Sequence, residues 1–463
     1  MSAKILVIGG SDAGISAALR ARECDPASEV TMLVADGYPN FSICGIPYFL
    51  SGEVPDWRDL AHRTIDQIEA TGVELRLNER AVAIDPEDKT VATMTAHGTN
   101  RLGYDRLVIA TGAEPMLPPI AGLSELGPTD GVHVLHTMDD TFALRRFLEQ
   151  SDRKRVAVIG AGYIGLEMAE ALTARGRQLI VLEAYEQVLP RTIDPELAAH
   201  VQTELERHGV EVNCGVTVEE MARDGDKIVI TNGGGQDRVA DLVLVAGGVT
   251  PSVGLAERAG AQLGAAGAIA VDPRMRTTLP DVFAAGDCVH THHTMLAEPT
   301  YMPLGTTAHK QGRVAGENAV GGDRMFTGIV GTQVVRAFEA VIAATGLRDQ
   351  AATSAGYHPL TVAVTADDHK RYYPGATPIQ MHITGDVDTG RLLGAQLVGR
   401  LGAEIAKRID IIATACQHDL RIDELNDLDL SYTPPLGSPW DALQLAAQAW
   451  VAARAGQARH VKA

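Results

Sequence analysis

Aromatic residues are scarce in this 463-residue chain: Phe, Trp and Tyr together make up 4% of it. No apolar run reaches the ~18–20 residues that a membrane-spanning helix requires, so no span is expected. Low-complexity tracts and long charge runs are missing too, which excludes disordered and fibrous classes. Positive charge is in deficit. Forty Lys and Arg against 59 Asp and Glu leave a net charge of −19. A surface of that sign is a poor general binder of nucleic acid or anionic membrane, while a local basic pocket for a small anion stays compatible with it. The five cysteines, Cys24, Cys44, Cys214, Cys288 and Cys416, are widely spaced, with no CxxC or CxxH pair. Neither a disulfide framework nor a structural zinc site is expected, and buried, inert thiols are the default for Cys24, Cys214 and Cys416. His290, His292 and His293 cluster without Cys or carboxylate at ligand spacing, so no metal site is expected there. The opening MSAKILVIGGSDAG lacks the long apolar core of a secretory leader and reads as a first strand. A cytoplasmic protein with reduced thiols is the expectation.

Glycine, by contrast, is abundant, with 47 residues, as in α/β proteins whose backbone closely approaches a nucleotide. The length suggests about three domains. Lys4 to Ile8, Ile15 to Arg22 and Val30 to Val34 read as strand, helix, strand, a βαβ unit. The unit recurs at Val156 to Ile159, Leu166 to Arg175 and Leu179 to Leu182. Two further apolar strands run into small-residue turns, LVIATGAEP (107–115) and LVLVAGGVTP (242–251), and DVFAAGDCV (281–289) enters a Gly-Asp turn. After about residue 325 the texture becomes α+β. There Gln333 to Ala344, Pro359 to Thr365 and Ile379 to Ile383 read as strands, and Ala403 to Gln417 as an amphipathic helix.

The second βαβ carries GAGYIG, a full GxGxxG at Gly160, Gly162 and Gly165 around Tyr163 and Ile164. The first glycine permits the tight turn, the second lets a pyrophosphate approach, and the third lets helix and strand pack. The helix N-terminus then offers N–H donors and a positive dipole end to the phosphates. Glu183 ends the next strand, 18 residues after Gly165. Its carboxylate suits a ribose 2′-hydroxyl and repels a 2′-phosphate, so NADH is expected over NADPH. Gly248 follows in the turn after the 242–245 strand. The first copy reads GGSDAG, with Gly9 and Gly14 in place and Ser11 between them. Val34 occupies the position of the expected acid, and Asp36 is the nearest carboxylate.

Gly9-x-Ser11-x-x-Gly14, Ala110-Thr111-Gly112, the second fingerprint and Ala285-Gly286-Asp287 together resemble the pyridine nucleotide–disulfide oxidoreductases, over essentially the whole chain. The resemblance implies two Rossmann-like dinucleotide-binding domains and a C-terminal α+β domain that forms a homodimer. The implied FAD domain is split over 1–113 and 250–324, the NADH domain spans 114–249 and the dimerisation domain 325–463. It further implies that Thr111 and Gly112 border the FAD and that Asp287 bonds its ribityl chain. NFSICGIPYFLSGEV, YYPGA, SYTPPLGSPWD and PLGTTAHKQGRVAGENA resemble the single-cysteine coenzyme A-disulfide reductase and NADH oxidase branch. No appended rhodanese domain is expected.

Two-cysteine members of the family use C-x₄-C, but the position five after Cys44 is Phe49. A lone thiolate still attacks a disulfide and holds a mixed disulfide. By the resemblance, Cys44 is the redox thiol, its pKa lowered by flavin and by a following helix, and coenzyme A is substrate or mixed-disulfide partner. Arg20 and Arg22 are candidates for its phosphates, against a solvated helix face. Tyr432, with Tyr373 chosen over Tyr372, is the candidate donor to a leaving thiolate. Asp12 stands where the peroxidase branch has a histidine, which argues against efficient peroxide chemistry. The sequence thus points to an FAD-dependent NADH oxidoreductase reducing a small-thiol disulfide or persulfide. The alternatives are an NADH oxidase passing electrons to oxygen or a quinone, and a flavoprotein redox sensor without turnover.

Overall fold

The computed structural model describes residues 2–150, 154–235 and 237–460. The chain divides into two compact units. One comprises residues up to Met116, His136–Phe142 and Gly248–Ile329; the other comprises Leu117–Leu135, Ala143–Gly247 and everything from Val330. Most of the segment expected to bind NADH and the C-terminal segment thus fall in a single unit.

The first unit is built on a parallel sheet of five strands. In spatial order these are Val282–Ala284, Arg106–Ile109, Lys4–Ile8, Glu29–Val34 and Val73–Leu77. Val7 lies opposite both Met32 and Val108. KILVI and RLVI are almost wholly apolar because both faces of the sheet are covered. On one face the helices Asp12–Cys24 and Gly305–Ala319 pack with Ile5, Val7, Ile15 and Val314. The two helices approach very closely. A Cβ on Gly312 would lie 2.2 Å from the Ala13 carbonyl oxygen, and one on Gly316 would lie 2.1 Å from that of Ala17. The other face is covered by an antiparallel sheet of Arg80–Asp85, Thr90–Thr95 and Gly98–Gly103, through Ile84 and Val91.

The second unit repeats the parallel architecture. Its order is Glu211–Asn213, Gln178–Leu182, Arg155–Ile159, Leu242–Val245 and Val132–His133. It also holds an antiparallel sheet of five strands: Gln333–Ala337, Ala340–Gly346, Leu392–Arg400, Pro378–Asp386 and Pro359–Asp367. Two helices, Ile405–Gln417 and Ala442–His460, belong to it. The single strand expected over 333–344 is instead a hairpin. The chain reverses at Phe338, which takes a left-handed φ of 55°, and Val335 pairs with Ile342. Among the described residues no helix is long and apolar enough to cross a membrane.

Candidate active site

In the first unit, the turn after strand Lys4–Ile8 can be made only with glycine. Gly9 has φ +114°, and its Cβ would lie 2.0 Å from the Ala110 carbonyl oxygen; a Cβ on Gly14 would lie 1.9 Å from that of Gly9. The helix that begins at Asp12 has Ser11 as its N-cap residue, and the Ser11 side chain makes no capping bond. Gly286, at φ +86°, brings Asp287 to this turn: a Cβ there would lie 2.7 Å from that of Ala13. Burial, and then the charge of Asp12, push the Asp287 carboxyl up to about 6. A half-buried carboxyl at a glycine-lined phosphate turn fits a dinucleotide whose sugar hydroxyl supplies its hydrogen bond. The Thr111 hydroxyl donates to the Ser252 carbonyl at 2.6 Å, and Gly112 takes φ +69° with space around it. Asp36 lies two residues past the end of its strand and accepts the Tyr38 N–H at 2.8 Å. At the strand end itself Val34 covers Gly10, whose Cβ would meet its methyl at 2.7 Å.

Cys44 is exposed, in the single turn Ile43–Gly45 that leads into helix Ile46–Ser51. Pro47 suits the first turn of that helix. Three backbone contacts fix the preceding segment: Ser42 N–H to Leu60 O at 2.9 Å, His62 N–H to Asn40 O at 3.2 Å, and the Phe41–Ala61 bridge. Tyr38, Phe41, Trp57 and Phe142 brace it as a group of touching rings, with Phe41 and Trp57 stacked at 5.4 Å. Phe49 is buried in the core. No disulfide joins any of the five cysteines; Cys288 and Cys416 are buried. Cys24, expected to be buried, is exposed at the end of its helix.

Beside this segment lies a cavity of about 710 Å³. It is lined by Asn40, His62, Arg63, Arg22, His309 and Arg313 among others. Such a concentration of cationic side chains in a chain of charge −19 is the local basic pocket that the composition left room for. Arg22 is held in place by the carbonyls of Thr71, Pro26 and Ser28 at 3.1, 2.7 and 2.6 Å. Arg20 is paired with Glu317 and Glu23. A phosphate would compete with those partners; Arg63 and Arg313, which sequence reasoning missed, also line the cavity, Arg313 with Glu23 at 3.5 Å. They reach it from separate parts of the chain, Arg313 from within the PLGTTAHKQGRVAGENA segment.

In the second unit Gly160, at φ +105°, and Gly165 repeat the close approaches: their Cβ atoms would lie 2.4 Å from Ala246 O and 2.0 Å from Gly160 O. Gly162, the N-cap of helix Tyr163–Ala174, has nothing within 4 Å of its Cβ position. Glu183 is buried, and its carboxylate accepts Ala161 N–H at 2.7 Å and Tyr185 N–H at 3.0 Å. The strand end is thereby tied to the fingerprint turn. Ile164 is half-buried in the first turn of that helix, and burial raises the Tyr163 phenol. Gly248 lies in the first unit, where its carbonyl accepts Met116 N–H at 2.9 Å.

Residues 3–312 match the family model of the pyridine nucleotide-disulphide oxidoreductases, and residues 333–442 match that of the family's dimerisation domain. The chain belongs to this family. It is similar to the NADH oxidase of Methanocaldococcus jannaschii, with 32% identity over 96% of this chain and 98% of the relative. It is also similar to the NAD(P)H coenzyme A polysulfide/persulfide reductase of Pyrococcus horikoshii, with 33% identity over 96% and 97%. Among solved structures, the NAD-dependent persulfide reductase from A. fulgidus matches with a TM-score of 0.93 and 36% identity, over 98% of this chain and 84% of that one. As a family member, the protein is a flavin oxidoreductase that uses FAD and a pyridine nucleotide.

Within the dimerisation segment the structure distinguishes the two neighbouring tyrosines. The proximity of Tyr432 raises the Tyr372 phenol. Tyr373 instead sets its ring edge-on to His369, with centroids 5.8 Å apart. Tyr372 thus lies beside Tyr432, while Tyr373, the candidate chosen from sequence, packs against His369.

Proposed function

We propose that the protein is an NADH-dependent reductase of small-thiol disulfides or persulfides, with coenzyme A as the thiol and Cys44 as the redox sulfur. The observation that carries this reading is the exposed Cys44 four residues from Asn40 at the edge of the basic cavity. The cavity suits the phosphates of a long anionic thiol whose sulfur end reaches Cys44. The Pyrococcus relative, named for a coenzyme A persulfide substrate, supports the same class.

In this reading the Cys44 thiolate attacks one sulfur of R–S–S–R′, forms Cys44–S–S–R and expels R′–S⁻. FAD, when bound, relays the two electrons of the NADH hydride that cleave the mixed disulfide. Cys44 thiolate and R–S⁻ are released, so that one NADH and one proton convert one disulfide to two thiols. Phe49 offers no second thiol, so Cys44 holds the substrate sulfur itself. Tyr432, together with Tyr373, is proposed to protonate the leaving thiolate, and the match to the dimerisation model supports a homodimer. Arg63 and Arg313 hold the phosphates.

Cys44→Ser tests the assignment. Stopped-flow bleaching of the flavin by NADH should proceed at the native rate, while turnover with coenzyme A disulfide falls to background. Native-rate disulfide reduction by the variant would refute the reading. The similarity to an NADH oxidase favours a second activity; electron flow to oxygen should survive in the Ser variant.

A further inference from the structure

In the first unit three side chains come together at the basic cavity, two of them lining it and the third standing within the first fingerprint turn. Asp12 opens the helix Asp12–Cys24, His309 lies in the helix Gly305–Ala319, and His62 comes from the loop after Leu60. One ligating atom from each lies within 4.8 Å of the other two. We propose that these three residues form a binding site for a divalent first-row transition-metal ion of the zinc or cobalt kind.

The donor set is two imidazoles and one carboxylate, which suits such ions. Their ligands lie at about 2.0–2.2 Å, so two ligand atoms around one ion are at most about 4 Å apart. The cluster needs only small side-chain rotations to close. Two features hold it in readiness. Ser16 Oγ lies 2.8 Å from His309 Nδ1, while Nε2 of the same ring faces Asp12 at 3.4 Å. A hydrogen bond to the ring nitrogen that does not bind the metal is the usual way a metal-binding imidazole is oriented. Asp12, for its part, is seated over Gly305: a Cβ there would lie 2.8 Å from Asp12 Oδ2.

An ion pair between Asp12 and His309 accounts for two of the groups. It does not account for His62, which arrives from a different loop and sets its ring edge-on to His309, with centroids 6.3 Å apart. Two imidazoles beside one carboxylate repel each other when both are protonated, and a metal ion removes that repulsion by binding both as neutral rings. Two of the three residues also line the 710 Å³ cavity, which provides an entry path and leaves coordination positions for water or for an anion in the cavity. Of the cations lining the cavity, Arg22 is held by backbone carbonyls and Arg313 faces Glu23 at 3.5 Å, while Arg63 adjoins His62 in sequence.

The experiment uses tag-free, flavin-loaded full-length protein titrated with Co²⁺. Calorimetry and the visible d–d absorption of cobalt give stoichiometry and ligand environment. The expected result is one Co²⁺ per chain, with bands showing nitrogen ligation. His62→Ala and His309→Ala should each abolish the stoichiometric phase, and Ser16→Ala should weaken it about tenfold. Flavin content and melting temperature show whether each variant is folded. Since His62 is exposed and Ser16→Ala is a small change, at least these two variants keep the test valid if His309→Ala fails to fold. Absence of a stoichiometric cobalt phase in the wild type overturns the proposal. So does an unchanged phase in folded His62→Ala, which would place the ion on other histidines.

Discussion

Glu183 shows how one residue serves the fold and a proposed specificity together. Its carboxylate bonds two backbone N–H groups, one of them Ala161 inside the fingerprint turn. The acid therefore braces the turn, and its charge is proposed to repel a 2′-phosphate. Glu183→Ala should reduce the NADH-over-NADPH ratio of flavin-reduction rates about tenfold, equivalent to about 1.4 kcal/mol. A residue that only braced the turn would slow both donors equally. Arg63 separates local from general charge in the same way. Arg63→Ala should raise KM for coenzyme A disulfide about tenfold, the scale of one charge-assisted hydrogen bond, while NADH still bleaches the flavin at the native rate. An unchanged KM removes Arg63 from the substrate site. At this scale legibility depended on locality. Cys44 was readable because its neighbours Ile43, Gly45 and Pro47 are adjacent in sequence. His62, Arg63 and Arg313 were not, because only the folded chain brings them to one cavity.

Elements were readable where periodicity was strong and obscure where glycine or an unmarked turn interrupted it. Strand Leu392–Arg400 contains Gly394 and Gly399, and a Cβ on Gly394 would lie 2.6 Å from Thr345 O. The sequence there looks irregular because the neighbouring strand leaves no room for side chains. The hairpin at Phe338 carries none of the Gly, Pro or Asn signals that mark reversals. Helix Gly305–Ala319 owes its position to similar crowding. Gly316→Ala would place a methyl group against Ala17 O and push away the helix that carries the first fingerprint. The expected cost is about 1–3 kcal/mol, seen as a lower melting temperature together with reduced flavin content on purification. A variant that melts early but keeps full flavin would separate helix packing from the nucleotide turn.

Across the whole molecule, individual carboxyls in the two units carry opposite proton linkages. In the second unit, burial acts to raise Asp194, but hydrogen bonds from His382 and Gln396 outweigh it and the carboxyl ends below its ordinary 3.8. Its stabilising contribution is present above the unfolded value and is lost as pH falls through the folded one. Asp386 behaves alike, held down chiefly by Thr389 and the His358 N–H against its own burial. In the first unit Asp287 is raised to about 6. Its contribution is fully present below the unfolded value and disappears as pH rises through about 6, a difference of about 3 kcal/mol. His136, whose pKa burial lowers, works in the other direction within that unit. The comparison must therefore isolate Asp287. In flavin-free protein, Asp287→Asn should flatten the pH dependence of hydrogen-exchange protection in strands Lys4–Ile8 and Arg106–Ile109 between about pH 4 and 7. Strand Pro378–Asp386 should keep its wild-type profile, loosening only in stronger acid. If the Asn variant leaves the first unit's profile unchanged, Asp287 is better solvated than its burial indicates, and its fitness to receive a ribityl hydroxyl falls with it.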